Sequence, residues 1–351
     1  MRATRRDLRA LPKAHLHLHF TGSLRPDTLR ELAAGHDVRL PDTLALVGRA
    51  RQPPQLRATD ERGWFRFQRL YDAARSVVRG EHDVRRLVLE AAQDERSEGS
   101  GWLEIQVDPT SYAPFLDGLT PAVEVILDAA RTATAVTGVG VGVVIAANRT
   151  RHPLDARTLA RLAARHAGAG VVGFGLSNDE RRGRTEDFAP AFRIAAQAGL
   201  VSAPHAGELA GPDSVRRALD TLGAQRIGHG VRSIEDPALL GRLADAGVTL
   251  EVCPVSNVRL GVYRDLSAVP LRTLREAGVP VALGADDPLL FGARLLDQYE
   301  LARDVHGFDD AELAELARAS VRASRAPSDV KARLLAGIDA WLASPVETKH
   351  P

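Results

Sequence analysis

The sequence predicts a (β/α)8 barrel of the TIM type, on three observations. A length of 351 residues suits one barrel of about 250 residues carrying insertions. Short apolar runs rich in Val and Ile alternate with longer amphipathic stretches, as buried parallel strands alternate with the helices that cover them. Polar residues end several of the runs on the same side, where active sites of this fold gather. An open doubly wound sheet shares the alternation, but eight strands in series favour closure.

Taken in order, the strands fall at 14–20, 102–107, 140–146, 171–176, 200–204, 226–228, 249–252 and 280–283, several closing on Gly, Pro, Asn or Asp. Helical periodicity occupies 83–97, 121–137, 155–167, 187–197, 212–222, 236–246 and 271–277. Two regions break the rhythm. Residues 24–100 are too long for one crossover helix and add helices over the barrel mouth, one of them 62–78 with Trp64, Phe65 and Phe67. After the eighth strand, 309–324 and 328–343 read as terminal helices, with Ser328 after Pro327 as an N-cap. Residues 1–344 form a single domain and 345–351 a frayed tail.

Composition narrows the function. With 44% hydrophobic and 26% charged residues the chain is globular. Forty-six basic against 45 acidic residues give a charge of +1, which argues against a nucleic-acid or anionic-membrane binder. The one cysteine, Cys253, excludes an internal disulfide, a cysteine metal site, and the zinc deaminases built on His plus two Cys. No stretch is apolar enough for a signal peptide or a membrane span, so the expected location is cytoplasmic. Gly168–Gly173 matches G-x-G-x-x-G but leads into a strand instead of following one, and fails as a dinucleotide loop.

The strongest chemical signal is His15-Leu16-His17-Leu18-His19 on the first strand. A side-chain period of two turns all three imidazoles to the same, inward face. A single buried histidine is more often a hydrogen-bonded core residue than a ligand, but three on one rigid strand face suit divalent-metal binding. Four more clusters end later strands: His205-Ala206-Gly207-Glu208, Gly228-His229-Gly230, Glu251-Val252-Cys253-Pro254, and Asp286-Asp287-Pro288. Each alone reads as a turn, helix start or salt-bridge member; together they ring one end of a barrel.

This ordered series, H-x-H-x-x-G-S, H-A-G-E, G-H-G, E-x-C-P-x-S-N and D-D-P, resembles the adenosine deaminase family of amidohydrolase-like metal-dependent barrels, from His17 to Asp287. The resemblance implies one catalytic zinc per chain held by His17, His19, His205 and Asp286, with His15 structural and one step deeper. Zinc lowers the pKa of a bound water toward ~7, which makes a nucleophile available at neutral pH. The purine ring resists attack until a ring nitrogen is protonated, and the resemblance makes Glu208 the general acid. It also implies that His229 orients the attacking hydroxide and that Glu251 fixes the His229 tautomer. Asp287 would accept a hydrogen bond from the N7 side of the purine. The products would be ammonia and a 6-oxopurine, and the partner a small-molecule nucleoside.

Two positions depart from the family pattern. Thr21 stands where an acid ordinarily bonds the ribose 5′-hydroxyl, and Ser177-Asn178-Asp179-Glu180 replaces A-G-D-E, whose glycine N–H meets purine N3. The metal and proton-transfer positions are intact while the sugar end has changed. Both departures look like the branch that deaminates aminodeoxyfutalosine to futalosine in menaquinone biosynthesis. Adenosine deaminase is the alternative, adenine deaminase fits less well, and a decayed purine-binding module is the non-enzymatic alternative. Arg66, Arg69 and Arg149 are the candidates to meet the carboxylate of the futalosine arm.

Overall fold

The computed structural model describes residues 5–48 and 56–345; of the expected tail, 346–351 lie outside the described residues. Eight parallel strands, β1 (Lys13–His19), β2 (Ser100–Val107), β3 (Gly140–Asn148), β4 (Val171–Ser177), β5 (Val201–Ala206), β6 (Arg226–His229), β7 (Thr249–Val252) and β8 (Val281–Leu283), pair in sequence order. They are the strands expected, with ends shifted by a residue or two, and they form a (β/α)8 barrel. The last seam is closed by a residue beyond β8. The N–H of Asp286 donates to the carbonyl of His17, and the N–H of His19 donates to the carbonyl of Asp286, each at 3.0 Å.

Alternation along β2 shows how the barrel is filled. Leu103, Ile105 and Val107 join the buried layer under the surrounding helices, with Leu87 and Val88 of the helix Glu81–Ser97 and Val123 and Ile126 of the helix Leu119–Thr137. Trp102 and Glu104 point the other way, into the barrel floor, where Trp102 Nε1 donates to Glu104 at 3.0 Å. Glu104 also accepts from Arg226 of β6 at 2.6 Å, across the interior. Both members of that pair are buried, and such a pair persists only when its remaining polar atoms are also satisfied.

The insertion after β1 covers the mouth as expected. Its helix Glu61–Arg75 starts at Asp60, whose side chain accepts from the N–H of Gly63, an N-cap that satisfies a free donor of the first turn. Phe67 is buried, with its ring 5.9 Å from that of Phe291. Phe65, one step around the helix from Trp64, faces solvent. No helix among the described residues is long and apolar enough to cross a membrane.

Two expectations are corrected. His15 does not face inward with His17 and His19. The β1–β2 register pairs His15 with Leu103 but Leu18 with Ile105, so β1 carries one extra residue, a bulge, and the alternation reverses there. His15 therefore shares the outer face of Leu103, where its Nδ1–H donates to Glu95 at 2.6 Å and its Nε2 accepts from the N–H of Ala285 at 2.9 Å. It is structural, as expected, but by facing out and not by lying deeper. Ser328 is not an N-cap. The helix Ser328–Ala343 is entered from Pro327, with no side-chain cap.

Candidate active site

The bulge leaves His17 and His19 pointing into the barrel at the end of β1. The neighbouring strand ends bring His205 from β5, His229 from β6, and Asp286 from just past β8 to the same place. The ligand atoms of His17, His19, His205 and Asp286 lie within 4.8 Å of one another. His19 Nε2 stands 3.0 Å from Asp286 Oδ1 and 3.2 Å from His205 Nε2. The far nitrogens are already engaged: His17 Nδ1–H donates to Glu251 at 2.9 Å, and His205 Nδ1–H donates to the carbonyl of Leu176 at 3.1 Å. That fixes both tautomers with the Nε2 lone pair inward. The buried Nε2 of His17 finds no hydrogen-bond partner among the described residues. Converging lone pairs, an orphaned nitrogen and a carboxylate fit a divalent metal ion.

The electrostatics agree. Burial, with His17, His19 and His229 as neighbours, holds His205 well below the usual imidazole range, in the neutral form a ligand needs. Burial, with His17 and His19, pushes His229 down to about 3. Burial opposes charge on His17, yet its hydrogen bonds with Asp286 and Glu251 carry it up to about 10. Two carboxylates around one imidazole attract positive charge, whether a proton or a metal ion.

Beside this cluster lies Glu208. Its Oε1 accepts from Asn257 Nδ2 at 3.1 Å and stands 3.3 Å from His229 Nδ1. Burial, with Asp286 and Glu180, raises its carboxyl well above the usual range, which suits a group that must hold a proton at neutral pH. Asp287 is buried next to it, with Oδ1 unpartnered among the described residues. Gly22 explains how Asp287 fits there: a Cβ at residue 22 would lie 1.9 Å from Asp287 Oδ1, so only glycine allows the approach.

The other end of the pocket is lined by Thr21, Trp64, Gln68, Tyr71, Arg75, Tyr112 and Asn178. Thr21 Oγ1 and the Tyr112 hydroxyl are 2.6 Å apart. Arg75 donates to Ser111 Oγ at 2.8 Å and lies 4.9 Å over the Tyr71 ring. Asn178 Nδ2 donates to Gln68 Oε1 at 3.3 Å, tying the loop after β4 to the mouth helix.

Most of the expected residues come together here, and three expectations fail. Glu251 does not meet His229; it accepts from His17, and Arg226 Nε lies 2.8 Å from its other oxygen. Arg149 does not face the pocket: it is buried, and its Nη2 donates to the carbonyl of His205 at 2.8 Å. Arg66 and Arg69 lie on the exposed face of the mouth helix, away from the lining. Sequence reasoning missed Arg75, although it shares a helical stripe with Trp64, Phe67, Gln68 and Tyr71 at spacings of three and four. It also gave no role to Ser256 and Asn257 of the E-x-C-P-x-S-N motif. Ser256 Oγ donates to Asp286 Oδ2 at 2.5 Å, and Asn257 holds Glu208.

Comparisons with known proteins agree with this geometry. The family model described as adenosine deaminase matches residues 12–341. A Streptomyces coelicolor protein named adenosine/adenine deaminase is 68% identical, over 96% of this chain and 98% of its own length. A second protein of that organism, named aminodeoxyfutalosine deaminase, is 38% identical over 97% of this chain and 88% of its own. The crystal structure of an adenine deaminase from Arthrobacter aurescens superposes with a TM-score of 0.84 at 30% identity, covering 95% of this chain and 99% of that one. A metal-binding cluster at the C-terminal rim of a (β/α)8 barrel, a buried acid beside it, and a family match along nearly the whole length lead to one conclusion: the chain belongs to the adenosine deaminase family and is a hydrolase of C–N bonds.

Proposed function

We propose that the protein hydrolyses the exocyclic amine of a 6-aminopurine, releasing ammonia and the 6-oxopurine, with one zinc ion held by His17, His19, His205 and Asp286. The observation that carries this is one pocket holding both that donor set and a buried, protonated Glu208. Three imidazoles and a carboxylate form a donor set suited to zinc. Zinc, when bound, supplies a water of lowered pKa as nucleophile. Glu208 delivers its proton to a ring nitrogen, which removes the aromatic resistance to attack at the carbon bearing the amine. His229, neutral and 3.3 Å from Asn257 Nδ2, orients the attacking water. Asp287 was expected as an acceptor, but N7 of a nucleoside carries only a lone pair, so Asp287 serves protonated, as donor. The test is the ultraviolet shift that accompanies conversion of a 6-aminopurine to its 6-oxo form by zinc-loaded protein. Absence of the shift with adenine, adenosine and 5′-modified adenosines would leave a purine-binding module.

The 68% identity to a protein named adenosine/adenine deaminase favours adenosine or adenine as the substrate. In the same organism the protein named for aminodeoxyfutalosine is only 38% identical. A specific observation supports aminodeoxyfutalosine, and with it menaquinone biosynthesis, as a second reading. At the sugar end Thr21 supplies no charge, and the half-buried guanidinium of Arg75 and the ring of Tyr71 line the same space. That end suits an anionic aryl arm better than a carboxylate would.

Side-by-side kcat/KM values on adenine, adenosine and aminodeoxyfutalosine separate the readings. Thr21→Asp is expected to raise the preference for adenosine by about tenfold or more, since a charge-assisted bond to the 5′-hydroxyl contributes ~1.5–3 kcal/mol. Arg75→Met should weaken only a substrate with an anionic arm. If the parent prefers adenosine or adenine and Arg75→Met leaves the ratio unchanged, the second reading fails.

A further inference from the structure

We propose that Glu180 is a positioning residue for Glu208, acting through the backbone of the loop that carries the acid. Glu180 follows the end of β4 and does not line the pocket. Its carboxylate accepts from four successive backbone N–H groups on the other side of a strand boundary: Gly207 through Oε1, and Glu208, Leu209 and Ala210 through Oε2, the last three at 2.9, 2.7 and 2.9 Å. Successive amides turned toward one point form a nest, a concavity that calls for an anion. Here the chain supplies that anion from its own side chain.

The loop has little else to set its shape. It runs from β5 to the helix Pro212–Leu222 and contains neither strand nor helix. Gly207 enters it at a φ of +71°, where a Cβ would stand 2.5 Å from Val215 Cγ2. Without a carboxylate in the nest, four buried or part-buried N–H groups would lose their partner at once, and the loop would turn to find others. Glu208 would move with it, away from the 3.1 Å contact with Asn257.

Glu180 is itself held in place. Arg149, buried at the end of β3, bridges the two loops: one guanidinium nitrogen donates to the carbonyl of Glu180 at 3.4 Å and another to the carbonyl of His205 at 2.8 Å. On the outer side, Arg181 pairs with Asp179 at 2.8 Å and reaches the carbonyls of Thr59 and Asp60, at the start of the mouth helix. One short segment, 178–181, thus touches the mouth helix, the acid's loop and the pocket wall. This gives the changed segment after β4 a task besides contact with the purine.

The catalytic part of the inference rests on the deaminase reading above; the positional part does not. The test uses Glu180→Ala and the isosteric Glu180→Gln in full-length, zinc-loaded protein. In both, kcat should fall about 10²-fold, the effect of misplacing a reacting group by about an ångström. KM should stay within about threefold and one equivalent of metal should be retained. Hydrogen exchange at the amides of 207–210 should accelerate. Formate, which fits the space left in Glu180→Ala, should restore at least about tenfold of the lost kcat, and should restore nothing in Glu208→Gln. A kcat within about threefold of the parent, or unchanged exchange at 207–210, overturns the proposal. So does a loss of kcat that formate does not recover in a folded, metal-bound variant. Should Glu180→Ala not fold, Glu180→Gln decides by its kcat and exchange. If the parent deaminates nothing, the functional reading fails on that measurement, while exchange at 207–210 still judges the role of Glu180.

Discussion

Glu208→Gln is expected to lower kcat by about 10³–10⁴-fold, at the upper end of what a positioned acid contributes. The substitution keeps the volume of the side chain and leaves an oxygen for Asn257, so the pocket has no reason to collapse. What it removes is the proton. Burial, Asp286 and Glu180 hold that proton on the carboxyl, and the ring cannot accept water until a nitrogen receives it. The loss should therefore fall on kcat, with product binding and metal content near those of the parent. Steady-state rates, metal analysis and titration with a 6-oxopurine on the same preparation check all three. Activity within about tenfold of the parent would remove Glu208 from the role.

Asp286→Ala is expected to abolish both bound metal and turnover. Asp286 brings a carboxylate within 3.0 Å of His19 Nε2 and 3.6 Å of His17 Nε2. It supplies the only formal negative charge in the set of four donors. Protein purified without added zinc should carry one equivalent of metal per chain, and the variant close to none. The double variant His17→Ala, His205→Ala should behave alike. Two equivalents in the parent would point to a two-metal hydrolase; such sites bridge their ions with a lysine, and this chain has lysine only at 13, 331 and 349. Metal retained in full by both variants would refute the site.

Much of the architecture was legible because local and global signals coincide. Val- and Ile-rich runs bounded by Gly, Pro and polar residues are the strands, and each functional cluster sits where its run ends. The facing of His15 was not legible, because a bulge is a property of the pairing between β1 and β2, not of either strand alone. The partner of Glu251 was not legible for a similar reason: both His17 and His229 are plausible on the sequence, and only the geometry brings His17 to 2.9 Å. Arg75 was one arginine among many in a chain where all but three of the 46 basic residues are arginine. Its position on the pocket stripe of the mouth helix depends on where that helix begins, which Asp60 sets. Ser256 and Asn257 were visible as letters of a motif, but their roles lie in contacts across 30 and 49 residues of sequence.

The clasp between β8 and β1 has a consequence for the life of the molecule without its metal. β8 is only three residues long, and the hoop of strands is completed there by the peptide of Asp286, in a left-handed conformation with a φ of +62°. For a residue other than glycine that conformation costs about 1–3 kcal/mol and persists only where its surroundings hold it. The same residue's side chain reaches for the ion. Loading the site thus rewards the strained backbone that shuts the barrel, and a ligand present at 100 times its dissociation constant adds about 2.7 kcal/mol to stability. Scarcity of metal would then be felt first as a weakened hoop, and an enzyme starved of its cofactor would be marked for turnover by the same residue that makes it active.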